Sequence, residues 1–247
     1  MTAENDFLPD LEAIPEGTAR RAKFIYINYP NNPTGAVATK AFYEKLVAWA
    51  KTYEVGVVSD LAYGALGYQG YENPSFLSTP GAKDVGIEFY TFSKTFNMAG
   101  WRLAFAAGND QMIEALNLIQ DHLFVGIFPA LQEAGIAALL DPKSEEAVAQ
   151  LNATYDSRRD AFVQAAAKIG WQAFPSRGSF YAWMPVPEGY TSESFADLLL
   201  EKVHVAVAPG KGFGPAGDAY VRIGLLVEPE RLVEAVDRIA NLQLFNN

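Results

Sequence analysis

Lys94, Asp60, Tyr63 and Asn32 are the residues of this chain whose types could together run covalent and acid–base chemistry. A lysine amine can join a carbonyl carbon and then carry a proton, if its surroundings lower its pKa. A carboxylate can keep a proton on a neighbouring ring nitrogen, while a phenol and an amide can tune a nearby hydroxyl. Taken singly, each residue has an ordinary structural explanation. Lys94 reads as a solvated lysine, Asp60 as a cap and Tyr63 as a core aromatic. In NNPTG, Asn32, Pro33 and Gly35 stand where a type I turn favours them, at its first, second and fourth positions.

Their positions set them apart. The runs 23–28 (KFIYIN), 55–59 (VGVVS) and 87–92 (IEFYTF) predict parallel strands buried on both faces. Between the first two, Phe42, Leu46, Trp49 and Tyr53 recur at helical spacing behind a capping Thr39. In an open parallel sheet the binding crevice lies beyond the carboxyl ends of the strands. There the first strand runs into NYPNNPTG, the second into Asp60–Tyr63 and the third into Ser93–Lys94, so amide, carboxylate, phenol and amine converge.

A fourth strand is expected over 102–107, then helices from Asp110 to Leu140 broken near GIFP, with Pro129 opening the second. Ser144, followed by Glu145 and Glu146, predicts a capped helix start running to about Ile169. Beyond Gly170, strands at WQAF, SFYAWM and AYVRIGLL alternate with helices around 193–202 and 229–242. The expected fold is α/β: a mostly parallel sheet with flanking helices over 1–143, then a long helix and a small α+β domain over 144–247.

Composition narrows the function. The chain has 247 residues, 50% of them hydrophobic and 19% charged, enough for a substantial core. A net charge of −10 with no basic block argues against nucleic acid and anionic membranes as partners. The absence of cysteine and the isolation of His122 and His204 exclude thiolate chemistry and a histidine metal cluster. No apolar run has the length of a membrane span, and a cytoplasmic protein is expected.

Taken jointly, the strand ends supply what one cofactor, pyridoxal phosphate, requires. Lys94 would form the Schiff base, Asp60 would hold the pyridine proton, and Tyr63 and Asn32 would reach the ring hydroxyl. Arg102 follows Lys94 by eight residues across NMAG and can clamp a phosphate, with Thr91 and Ser93 as hydroxyl donors on one strand face. Phe180, Tyr181 and Phe213 are candidates for a substrate side-chain pocket, or for packing.

YPNNPTG, SDLAY and TFSKTFNMAGWR, in that order, resemble the class I/II, fold type I aminotransferases. The likeness is to the branch with alanine, aspartate, aromatic and diaminopimelate-type bacterial enzymes, and it extends through RGSFYAWM and APGKGFG. It implies the same roles for Lys94, Asp60, Tyr63, Asn32, Thr91 and Arg102. It adds Arg222, in AYVRIGL, as the grip on the substrate α-carboxylate; by itself Arg222 reads as an ordinary strand arginine. The implied reaction is ping-pong transfer of an amino group between an L-amino acid and a 2-oxo acid. The alternatives are a pyridoxal-phosphate C–S lyase working by β-elimination and a ligand-sensing domain of a transcription regulator. Family members carry a long segment ahead of the point matching Met1. The chain is therefore expected to be a C-terminal portion of such an enzyme, with an exposed apolar edge, weak cofactor binding and poor turnover, its full-length parent being a homodimer.

Overall fold

The computed structural model describes residues 1–245. An opening segment with a short helix, α1 (Glu16–Ala19), leads to β1 (Phe24–Asn28). Helix α2 (Lys40–Tyr53) returns the chain to β2 (Gly56–Asp60), with the Thr39 hydroxyl accepting from the Phe42 amide at its start. After α3 (Ala82–Val85) come β3 (Gly86–Thr91), the single turn α4 (Phe92–Thr95) and β4 (Ala104–Gly108). The sheet runs in the order β1-β2-β3-β4. β1, β2 and β3 are parallel and β4 is antiparallel to β3.

Phe42, Tyr43, Leu46, Val47 and Ala50 of α2 are buried, and with Ile27, Val57 and Phe76 they form the core on one face of this sheet. β2 is covered on both faces, as its apolar run predicts. β1 is not: Phe24 is 50% and Tyr26 76% exposed. β1 is an edge strand, and only the face carrying Ile25 and Ile27 packs on the core. Period-free apolarity cannot tell these two cases apart.

Helices α5 (Asp110–Leu123) and α6 (Pro129–Leu140) break where GIFP and Pro129 require. Both stay largely uncovered: α5 buries none of its residues and α6 only Gly135. Leu123, Phe124, Phe128, Leu139 and Leu140 are exposed there, with Phe105 on β4. The long helix α7 (Ser144–Lys168) begins at Ser144, which is therefore inside the helix and not its cap; its hydroxyl donates to the Ala138 carbonyl.

The second sheet holds β5 (Tyr181–Pro185), β6 (Ala208–Pro209) and β7 (Tyr220–Gly224) in the order β5-β7-β6, all antiparallel. α8 (Ser192–Val203), α9 (Pro229–Ala240) and α7 pack on it around Phe162, Trp171, Met184, Phe195, Leu199, Val221 and Val236. WQAF is not a strand: Trp171 is buried by ring contacts with Phe162 and Phe195, and its indole N–H donates to the Pro185 carbonyl. Side-chain packing produced the apolar pattern there. The two sheets are joined by more than α7. Phe7 packs edge-on against Phe174 and Tyr220, and Tyr63, Leu66, Tyr68, Tyr155 and Phe180 form one cluster between α7 and the segment after β2.

Candidate active site

The exits of β1, β2 and β3 do lie side by side, since Asn28 is paired with Asp60 and Asp60 with Phe89. The NNPTG loop is one residue wider than a type I turn. The Gly35 amide donates to the Asn31 carbonyl, one residue earlier than that turn requires, and the Asn31 carboxamide oxygen accepts from both the amide and hydroxyl of Thr34. Gly35 has φ +69°, and a Cβ there would lie 2.1 Å from the Ser176 hydroxyl oxygen, so only glycine permits this approach to the 176–178 segment.

Asn32 faces the second sheet. Its carboxamide oxygen accepts from Arg222 Nη1 at 2.7 Å. Arg222, in the middle of β7, has its guanidinium carbon 4.3 Å from the ring centre of Tyr181 and 4.8 Å from that of Phe213. The cation is thus held between two aromatic rings with one donor engaged. Tyr181 also approaches Tyr63, ring centres 6.1 Å apart, and Tyr63 meets Phe180 edge-on at 5.3 Å. Burial, reinforced by Tyr181 and Asp60, pushes the Tyr63 phenol well above its ordinary pKa, so it remains a neutral donor.

Lys94 lies on α4, one residue after Ser93, half-buried. Its Nζ is 5.5 Å from the ring centre of Phe180 and 6.0 Å from that of Tyr63. Among the described residues it has neither an ion-pair nor a hydrogen-bond partner. Asp60 caps the turn after β2 by accepting from the Ala62 amide at 3.1 Å, and burial raises its pKa, the Ala62 bond opposing this.

Thr91 and Ser93 do not share a strand face. Thr91 ends β3 and caps α4, accepting from the Ser93 amide and donating to the Ser93 hydroxyl at 2.9 Å, because the chain turns helical straight after the strand. NMAG does turn the chain, through a short 3-10 segment at Ala99–Trp101. Arg102 then adopts φ +55°, exposed, with Nη1 donating to the Ala99 carbonyl at 3.0 Å. The cavity of about 690 Å3 between Tyr68–Tyr71, Arg159 and Phe174–Arg177 reaches Tyr181 but neither Lys94 nor Asp60. One of about 320 Å3 opens beside Asn32, against Trp183 and Phe213.

The model of the family "Aminotransferase class I and II" matches residues 1–239. The chain belongs to the class I and II aminotransferases. This aminotransferase chain is 56% identical over 245 residues to an L-glutamine–4-(methylsulfanyl)-2-oxobutanoate aminotransferase of Bacillus subtilis, covering 99% of itself and 61% of that protein. It is 49% identical to an LL-diaminopimelate aminotransferase of Moorella thermoacetica, covering 97% of itself and 61% of the relative. Substrate-bound BacF from Bacillus subtilis superposes with a TM-score of 0.93 at 46% identity, over 99% of this chain and 62% of BacF. The chain thus spans about 61% of the length of these relatives, and its α/β architecture is that of solved aminotransferases. No helix among the described residues is long and apolar enough to cross a membrane.

The aromatic flanks of Arg222 escape a reading of strand ends, because Tyr181 and Phe213 come from a strand and a loop of the other sheet. The sequence offers Tyr181 and Phe213 as pocket or packing aromatics but does not tie them to Arg222.

Proposed function

We propose that this chain carries the central residues of a pyridoxal-phosphate aminotransferase that moves an amino group between an L-amino acid and a 2-oxo acid in the cytoplasm. The observation that carries the reading is Lys94: a half-buried amine with no polar partner among the described residues, set over Phe180 and Tyr63 beside the exits that bear Asp60 and Asn32. The donor set fits the cofactor, with an unpaired amine, an acid at the exposed end of β2, a neutral phenol and two guanidinium groups at separate corners.

Pyridoxal phosphate supplies an aldehyde for amines and a ring that accepts electrons. The chain's own residues do the rest. Asp60 would hold the ring-nitrogen proton, and Tyr63 would donate from its phenol to the ring hydroxyl, with Asn32 beside it. Arg102, Thr91 and Ser93 would bind the phosphate. Arg222 grips the α-carboxylate in a fixed fork and so sets which bond to the α-carbon is exposed to Lys94. Lys94 Nζ would be the attachment point for the cofactor's aldehyde carbon and, as a free amine, the base that carries the substrate α-proton. The names of the relatives above give different amino acids, so the donor is read only as an L-amino acid. Homodimer assembly is part of the same reading, and the exposed apolar residues of α5 and α6 offer a surface for it.

The test is oxo-acid-dependent formation of a new amino acid from a panel of L-amino donors with added pyridoxal phosphate. Lys94→Ala is expected to abolish it, a loss of at least about 10⁴-fold for removal of a covalent nucleophile and base together. Release of ammonia and a 2-oxo acid without an acceptor would overturn the reading in favour of elimination.

A further inference from the structure

Glu88 sits in the middle of β3, 6% exposed, and has no part in the chemistry above. Its partner across the parallel ladder is Ser59 on β2, so the two side chains share the sheet face that α2 covers. Both carboxyl oxygens are used. Oε2 accepts from the Ser59 hydroxyl and the Phe76 amide, each at 2.9 Å, and Oε1 accepts from the Ser75 hydroxyl at 2.5 Å. Among the described residues no cation pairs with it; the group is held by neutral donors against Phe76 and Tyr43, whose rings meet edge-on at 5.7 Å.

The chain order of those donors matters. Ser59 immediately precedes Asp60, where the chain leaves the sheet, and Ser75–Phe76 is where it comes back. The excursion between them carries Asp60 and Tyr63. Its interior is braced by the Asn73 amide, which donates to the carbonyls of Gly64 and Leu66 at 3.1 and 3.2 Å, but its two ends are tied to each other through Glu88. Of the three groups converging on this buried site only the Phe76 amide is a donor alone, and the carboxylate lets both serine hydroxyls donate as well. A glutamine can keep its oxygen on Ser59 and Phe76, but its NH2 group then faces the Ser75 hydroxyl, which must give up its own donation to accept it, and the stronger bonds to an ionised acceptor are lost.

We propose that Glu88 is a positioning residue, the clasp that fixes both ends of the excursion and so sets Asp60 and Tyr63 for the cofactor ring. The proposal rests on the pyridoxal-phosphate reading for its purpose but not for its geometry. Amide hydrogen exchange of the full chain, read by mass spectrometry on native and Glu88→Gln protein, tests the geometry. Exchange over 61–76 is expected to speed by about tenfold or more, with α2 and α8 unchanged. Ser75→Ala, which removes one donor, is expected to speed the same amides by about threefold and gives the answer if Glu88→Gln does not fold. Acceleration spread evenly over the chain, or none at 61–76, would overturn the clasp.

Pyridoxal phosphate affinity, titrated by absorbance, is the second readout. It is expected to weaken about tenfold in Glu88→Gln, while affinity for inorganic phosphate as a probe of the Arg102 corner stays unchanged. Local loosening with full cofactor affinity would overturn the positioning role. If the native chain took up no cofactor, the proposed function would fail, and the exchange comparison would still decide whether Glu88 clasps the loop.

Discussion

The two corners proposed to hold the substrate carboxylate and the cofactor phosphate are built differently. At the carboxylate corner, Arg222 is fixed by Asn32 from the first sheet and by the rings of Tyr181 and Phe213 from the second. At the phosphate corner, Thr91 and Ser93 bond to each other, and Arg102 is exposed and turned to the Ala99 carbonyl three residues back. The first is assembled from contacts distant in sequence and half-buried; the second is one local turn. A guanidinium stacked between rings has little freedom left to lose on binding, whereas Arg102 must exchange one hydrogen bond for another. Arg222 is therefore preorganised for the carboxylate proposed for it, and Arg102 is not preorganised for the phosphate.

Removing Arg222 is the strongest way to break this contrast. In the cofactor-loaded enzyme, Arg222→Ala is expected to raise the KM for the amino donor by about a hundredfold, the cost of losing charge-assisted bonds to the α-carboxylate. Arg222→Lys is expected to recover little of it, since a lysine gives neither the fork nor the stacking plane. Full rescue by lysine, measured in the same donor titration, would mean that charge alone matters and that the aromatic flanks are incidental.

Arg102→Ala probes the other corner with a smaller effect. Affinity for pyridoxal phosphate is expected to fall about tenfold and affinity for pyridoxal, which lacks the phosphate, to stay the same. The thermal unfolding midpoint should not move, because the side chain is exposed. Equal losses for both ligands would show that Arg102 shapes the turn and not the phosphate contact.

Asp60 gives the smallest effect. Burial favours its neutral form, so the folded chain binds that proton more tightly than the unfolded chain does. Stability due to this group is then full below the ordinary value of 3.8 and is lost as pH rises through the higher folded value. Asp60→Asn is accordingly expected to unfold at a slightly higher temperature than the native chain near neutral pH and at the same temperature below about pH 3.8, with weaker cofactor binding throughout. A lower midpoint at neutral pH would show that Asp60 stabilises the fold, with no strain held for function.

How far the sequence reveals these corners follows the same division. That Asn32, Asp60, Tyr63 and Lys94 follow neighbouring strand ends was legible because strand ends in a parallel sheet are adjacent wherever the strands pair, and β2 and α2 carry unambiguous patterns. Arg222 was not, since its position in a strand says nothing of what lies across the sheet gap; only likeness to the aminotransferases singled it out. Nor could apolarity reveal that Phe24 and Tyr26 face outward, because an edge strand and a central one read alike. Glu88 was invisible for a further reason: a lone acid in a strand gains meaning only from donors arriving at 59 and at 75–76.

The most direct test is to fix any bond between pyridoxal phosphate and the protein with borohydride, digest, and locate the modified lysine by mass spectrometry. The expected result is one modification, on Lys94, lost in Lys94→Ala while the other lysines stay unlabelled. Labelling scattered over exposed lysines such as Lys40 and Lys83, unchanged in Lys94→Ala, would contradict the assignment of Lys94 as the cofactor's attachment point.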